Sequence, residues 1–154
     1  SDLFMPGAAP SMASLGLKAA QGLVMTTAFY WDHDAKTRAW SKRFFDRVHK
    51  EPTMNQAGVY GAVTHYLKAV AQLKSAADGK AVVAEMKKLP TDDPLFGKGT
   101  VRADGRVLHP AYLFEVKKPS ESKYKFDFYH IRATIPADQA FRPLKDGNCP
   151  LVSG

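Results

Sequence analysis

Five histidines, one cysteine, a Gly-Lys-Gly-Thr run and two groups of aromatics are the residues of this chain best suited to chemistry. Most are spaced wrongly for catalysis. His33, His49, His65, His109 and His130 form no HExxH pattern, no i, i+4 pair and no set with cysteines, so no metal site is predicted. Cys149 lies among Pro and Gly near the end, where nothing lowers a thiol pKa, and no G-x-S-x-G elbow presents a serine nucleophile. No catalytic residue is predicted, and the chain reads as a non-enzyme. Gly97-Lys98-Gly99-Thr100 lacks the spacing of a phosphate loop and precedes a strand instead of a helix, so it reads as a turn.

Two groups keep a binding reading. Phe29-Tyr30-Trp31 follows an apolar run at the place where open α/β folds put ligands, although the same rings are equally suited to packing on the next helix. Asn55 and Gln56 open a helix, where side-chain amides and free N–H groups suit a carboxylate, with helix capping competing for the same atoms. Phe126, Phe128 and Tyr129 stand among Lys123, Lys125 and Arg132, but no RNA-binding signature accompanies them, and edge-strand packing is preferred.

Elements must position these residues. Leu3 to Pro10 reads as a strand end running into a loop, and Ser14 to Gln21 as a helical turn. Gly22 to Tyr30 reads as a strand buried on both faces, the pattern of a parallel sheet. Asp34 is placed to cap a helix carrying Trp40, Phe44 and Val48 on one face and ending at Pro52. A helix from about Gln56 to Lys74, with Tyr60, Val63, Leu67, Val70 and Leu73 as its stripe, should be the most buried, and Lys80 to Leu89 forms a third helix closed by Pro90. Asp104-Gly105 then signals a tight hairpin, Ala111 to Val116 a strand, and Tyr124 to Phe128 an alternating strand. From Ile135 onward the chain reads as an irregular tail that must dock on the rest. The class is α/β.

The 154 residues are 45% hydrophobic and 24% charged, which excludes disordered, collagen-like and disulfide-scaffold classes. No apolar run reaches the roughly 20 residues of a membrane-spanning helix. Ser1 to Met5 carries neither a charged region nor an apolar core of a leader peptide. The net charge is +7, but its basic pairs, Lys42-Arg43, Lys87-Lys88 and Lys117-Lys118, are scattered among acids. A solvated basic surface accounts for them. The alternative is a basic self-assembling α/β module that binds polyanions and has no small-molecule cleft. A single cysteine cannot close an intrachain disulfide.

Several stretches together resemble the leucine/isoleucine/valine-binding family of periplasmic substrate-binding proteins, the receptors of ABC importers. They are Leu17 to Val24, Thr26-Thr27, Trp40 to Phe45, Pro52-Thr53-Met54, Ala57 to Val63, His65 to Val70, Asp104-Gly105-Arg106 and Tyr112 to Ser122. The resemblance is to the C-terminal part of such a receptor. It implies a type I periplasmic binding protein fold, incomplete in this chain, with portions of two lobes: 1–25 a piece of lobe 2, 26–105 a piece of lobe 1 with three helices, and 106–154 a return to lobe 2. Thr26-Thr27-Ala28 and the Asp104 hairpin would be crossovers. The implied function is solute binding by hinge closure on an amino acid or related small organic acid, in the periplasm, without catalysis, cofactor or metal. Tyr30, Met54, Asn55 and Gln56 are the matching positions nearest the cleft. The implied partners are the ligand and the importer's membrane subunits, not nucleic acid. Because the N-terminal part of such receptors is not among these residues, association with that part or a homo-oligomer is expected, and a partner for Cys149 would lie in that part.

Overall fold

The structure, a computed structural model, describes residues 14–152; the strand end expected at Leu3 to Pro10 lies outside them. Its elements are α1 (Leu17–Ala20), β1 (Val24–Thr27), α2 (Ala35–Val48), α3 (Met54–Leu73), α4 (Gly79–Lys88), β2 (Thr91–Asp93), β3 (Gly97–Val101), β4 (Val107–Leu108), β5 (Ala111–Val116) and β6 (Tyr129–Ile135). Among the described residues two antiparallel sheets form, ordered β1-β5-β6 and β2-β3-β4.

The helix starts follow local chemistry. Asp34 accepts from the Thr37 N–H at 2.8 Å while Thr37 Oγ1 accepts from the Asp34 N–H at 2.9 Å, a reciprocal cap for α2. His49, at φ 58, closes α2 before Pro52 is reached. Thr53 caps α3, and Gln56 Oε1 accepts from the Thr53 N–H at 2.9 Å. Asp78 caps α4 through the N–H groups of Lys80 and Ala81. Gly105, at φ 83, turns the hairpin from β3 to β4 as its Asp-Gly pair predicts.

Four expectations are corrected. First, among the described residues Gly22 to Tyr30 is not a doubly buried parallel strand: only Val24 to Thr27 pairs there, antiparallel and with β5, and Val24 is 57% exposed. Its apolar run continues because Phe29 and Tyr30 leave the sheet and enter the interior from a loop. Second, the stripe on α3 faces outward, with Val63 51% and Leu67 56% exposed, while Ala57, His65 and Ala69 are buried. Small side chains let α4 and β2 approach that face closely, and His65 Nε2 meets the Met86 carbonyl at 2.8 Å. Third, Gly97 to Val101 is strand β3 and not a turn; the turn lies at 94–96, where Asp93 Oδ1 accepts from the N–H groups of Leu95 and Phe96. Fourth, Tyr124 to Phe128 is a turn, with Phe126 at φ 66, and the strand begins at Tyr129. The alternation misleads because Asp127, read as solvent-facing, is buried as the acceptor for Lys117 Nζ and the Lys123 N–H.

Two apolar clusters result. One gathers Ala20, Tyr30, Phe114, Val116 and Tyr129, and the other gathers Phe29, Trp40, Ala57 and Leu95; Trp31 packs against both. The tail docks as expected, with Arg102 Nη1 donating to the Arg142 carbonyl at 3.0 Å and Phe141 stacking edge-on against His109.

Gly99 is required by close approach: a Cβ there would collide with the Leu108 carbonyl oxygen and meet Thr91 Oγ1 at 2.8 Å. Gly99→Ala is expected to cost about 1–3 kcal/mol of stability by forcing β3 away from its neighbours. Thermal unfolding followed by circular dichroism checks it, and an unchanged midpoint would mean that the sheet yields freely. Asp127→Asn, which strands the Lys117 ammonium in a mostly buried position, is expected to cost roughly 3–5 kcal/mol in the same assay.

Candidate functional site

The site is built where the chain leaves β1. Past Thr27 the aromatics separate: Phe29 lies edge-on to Trp40 of α2 at 5.8 Å, whereas Tyr30 packs against Phe114 and Tyr129 at 5.4 and 5.3 Å. Packing on the next helix therefore describes Phe29, and Tyr30 belongs to the other cluster. Thr27 Oγ1 contacts Met54 Sδ at 3.4 Å, which ties the end of β1 to the first residue of α3.

Met54, Asn55 and Gln56 come together at the α3 N-terminus. Asn55 and Gln56 border an open groove of about 700 Å³ that continues along Val59, Tyr60, Val63 and Leu67. Gln56 Oε1 is committed to the cap, accepting also from Thr53 Oγ1 at 2.6 Å. The Asn55 side chain makes no hydrogen bond among the described residues. Tyr30 does not border this groove; its hydroxyl is buried without a hydrogen-bond partner, as is that of Tyr129. Burial pushes the Tyr30 phenol well above its ordinary value, and the Asp32 and Asp127 carboxylates add to the rise. The backbone N–H groups of Tyr129 and Phe128 oppose it weakly, without reaching hydrogen-bond geometry.

Three ties escaped sequence reasoning, two of them between the segment after β1 and the turn at 123–128. Trp31 Nε1 donates to the Phe126 carbonyl at 3.1 Å, the Tyr124 hydroxyl donates to Asp32, and Arg38 pairs with Asp32 at 3.1 Å. The bond to Asp32, together with burial and its charge, pushes the Tyr124 phenol up to about 12. Partners so far apart in sequence leave no spacing signal to read; only the Asp32 and Arg38 pair is local.

Among the described residues, no three of His, Cys, Asp and Glu group as metal ligands, and no helix is long and apolar enough to cross a membrane. Each basic pair has one lysine in an ion pair: Lys42 with Asp46, Lys88 with Glu85 and Lys117 with Asp127.

Among the described residues the chain thus has two antiparallel sheets, an aromatic segment after β1 and an apolar helix face left open. The chain belongs to the periplasmic binding protein family, whose sequence profile matches residues 3–123. It is similar to the crystal structure of a periplasmic binding protein from Burkholderia mallei, with 43% identity, a TM-score of 0.90 and coverage of 94% of this chain and 38% of that one. A branched-chain amino acid ABC transporter periplasmic ligand-binding protein from Burkholderia xenovorans LB400 matches with 41% identity and a TM-score of 0.89, over 96% of this chain and 39% of that one. The leucine-, isoleucine-, valine-, threonine- and alanine-binding protein from Brucella ovis, at 18% identity and a TM-score of 0.71, shares the fold over 93% of this chain and 37% of its own. No curated protein matches the chain. The chain thus spans well under half the length of the receptors it matches, and its fold is an incomplete type I periplasmic binding protein fold. The proteins of this family bind solutes for ABC transporters and are not enzymes.

Tyr30→Phe removes a buried, unpartnered hydroxyl and is expected to raise the unfolding midpoint, because an unmade buried hydrogen bond costs about 1–3 kcal/mol. Thermal denaturation of the single variant decides it, and a lowered midpoint would mean that the hydroxyl is satisfied. The raised pKa also sets a pH dependence. A folded-state value above the unfolded one contributes stability that is complete below about pH 10 and is lost as pH rises beyond it. Of six tyrosines, Tyr30 and Tyr129 are expected to ionise only as the protein unfolds, read as tyrosinate absorbance lagging behind a base titration.

Proposed function

We propose that this chain is the C-terminal portion of the solute-binding receptor of an ABC importer, taking an amino acid or related small organic acid in the periplasm by closure of two lobes. The observation that carries the reading is the outward apolar face of α3. Val59 is 65%, Val63 51%, Leu67 56% and Tyr66 40% exposed, in a chain that spans only 38% of a receptor 43% identical to it. Such a contiguous face calls for cover, and the remainder of the receptor's first lobe is the cover that the length difference supplies.

In this reading 1–25 and 106–154 belong to lobe 2 and 26–105 to lobe 1. The separation of the two apolar clusters supports that division, with Ala20, Phe114, Val116 and Tyr129 in one and Trp40, Ala57 and Leu95 in the other, although Tyr30 reaches from the lobe 1 segment into the first. Tyr30, Met54, Asn55 and Gln56 then stand at the lobe junction. The unbonded Asn55 amide beside the α3 N-terminus suits a carboxylate, whereas the cap leaves only the Gln56 amide nitrogen for a ligand. Closure would bring the lobe 2 face against that terminus, and the importer's membrane subunits would read the closed form.

The test is a receptor of full family length carrying these residues at its C-terminal end. It is titrated by calorimetry with leucine, isoleucine, valine and small aliphatic acids, and its radius of gyration is followed by X-ray scattering. One ligand of the panel is expected to bind with contraction of the particle, and Asn55→Ala to weaken it about tenfold with the unfolding midpoint unchanged. Failure of the whole panel to bind, or binding without contraction, would sink the proposal.

A further inference from the structure

Helix α2 and its flanks carry charge that the chain itself does not balance. Residues 32–51 hold six cations, Lys36, Arg38, Lys42, Arg43, Arg47 and Lys50, and four carboxylates, Asp32, Asp34, Asp46 and Glu51. The carboxylates are occupied elsewhere. Asp32 holds Arg38, Asp46 holds Lys42, and Asp34 serves the cap through the Thr37 N–H. Glu51 is half-buried and borders a cavity shared with Phe126. Lys36, Arg43, Arg47 and Lys50 are exposed, and among the described residues none of their side chains makes an ion pair or a hydrogen bond.

Three of these four form a row. At 3.6 residues per turn, Lys36, Arg43 and Arg47 stand at i, i+7 and i+11, within about 40° of one another and over about 17 Å of helix. Lys50 follows just beyond the left-handed His49 that ends the helix. The row goes against local helix chemistry. Lys36 stands in the first turn, where the positive end of the helix dipole disfavours a cation, and that turn holds no acidic residue. Arg43 and Arg47 stand i, i+4, a spacing at which like charges repel. Local rules broken without compensation inside the fold mark a place of function.

We propose that this row docks the protein on a membrane surface bearing anionic phospholipids. A line of exposed, unpaired cations is complementary in charge to a plane of headgroup phosphates, which attracts each lysine or arginine held near it. A protein partner is the poorer fit. Protein interfaces centre on aromatic or aliphatic anchors seated in pockets, whereas Trp40 of α2 is buried and none of Lys36, Arg43 and Arg47 borders the α3 groove. The matched receptors serve ABC transporters, whose membrane parts lie in a bilayer, so the row would hold the protein beside them. Every residue of the row belongs to this chain, so the proposal rests neither on solute binding nor on lobe closure.

The experiment sediments the chain with vesicles of phosphatidylcholine alone and of phosphatidylcholine mixed with phosphatidylglycerol. Saturable binding to the mixed vesicles is expected at low salt, at least about tenfold tighter than to phosphatidylcholine, and weakening as salt is raised to about 150 mM. The double variant Arg43→Gln, Arg47→Gln is expected to bind at least about tenfold more weakly, and Lys36→Gln about fivefold. Lys80→Gln with Lys98→Gln, which removes two exposed charges away from α2, is expected to stay within about twofold of the parent. Circular dichroism checks that each variant is folded. Equal binding to uncharged vesicles would assign the effect to the apolar α3 face, and equal loss in the Lys80 and Lys98 variant would assign it to net charge alone. Either result, no saturable binding to the mixed vesicles, or capture by polyglutamate in their place, would overturn the proposal.

Discussion

The pairing of β1 with β5 holds the rest of the molecule in place. Val24 faces Glu115 and Thr27 faces Tyr112, so the chain departs for its helices at Thr27 and is brought back beside its own departure point. β5 lies between β1 and β6 and buries Phe114 and Val116 completely or nearly so. Backbone bonds extend the ladder past its ends, from the Gly22 N–H to the Val116 carbonyl at 2.9 Å and from the Lys117 N–H to the Phe128 carbonyl at 2.8 Å. The entropy of closing so long a loop grows only slowly with its length, so a few strand residues with one well-packed aromatic suffice to hold it.

That closure forces the residues after β1 to choose between two interiors. Phe29 turns toward α2 and α3, Tyr30 toward β5 and β6, and Trp31 spans both. The turn at 123–128 is drawn to the same place, since Asp127 needs Lys117 and the Phe126 carbonyl needs Trp31. Burial by itself pushes the Asp127 carboxyl up, but the Lys117 ammonium and the Lys123 N–H together hold it below the usual carboxylate range. The backbone thus enters a left-handed conformation at Phe126, where a strand was expected, because the ion pair and the loop bond outweigh local strain.

The same constraint leaves apolar surface uncovered. α3 buries its small residues against α4 and β2 and turns its larger ones outward, and among the described residues β1 is an edge, with Leu23 and Val24 exposed. The receptors matched are more than twice as long over the same fold.

What could be read in the sequence was whatever local chemistry decides. Asp34 announces α2, Asp104-Gly105 announces its hairpin, and Ala111 to Val116 has the strand bounds expected of it, since caps, turns and short alternations involve neighbours a few residues apart. Joint motif order pointed to the family as well. The α3 N-terminus is legible as a cluster, but only the bond between the Thr53 N–H and Gln56 Oε1 assigns Gln56 to the cap. Tertiary structure alone decided which face of α3 is buried, that Gly97 to Val101 pairs, and that Asp127 turns inward. Each of these depends on a partner supplied from a distant part of the chain, and neither periodicity nor composition records where such a partner will come to rest.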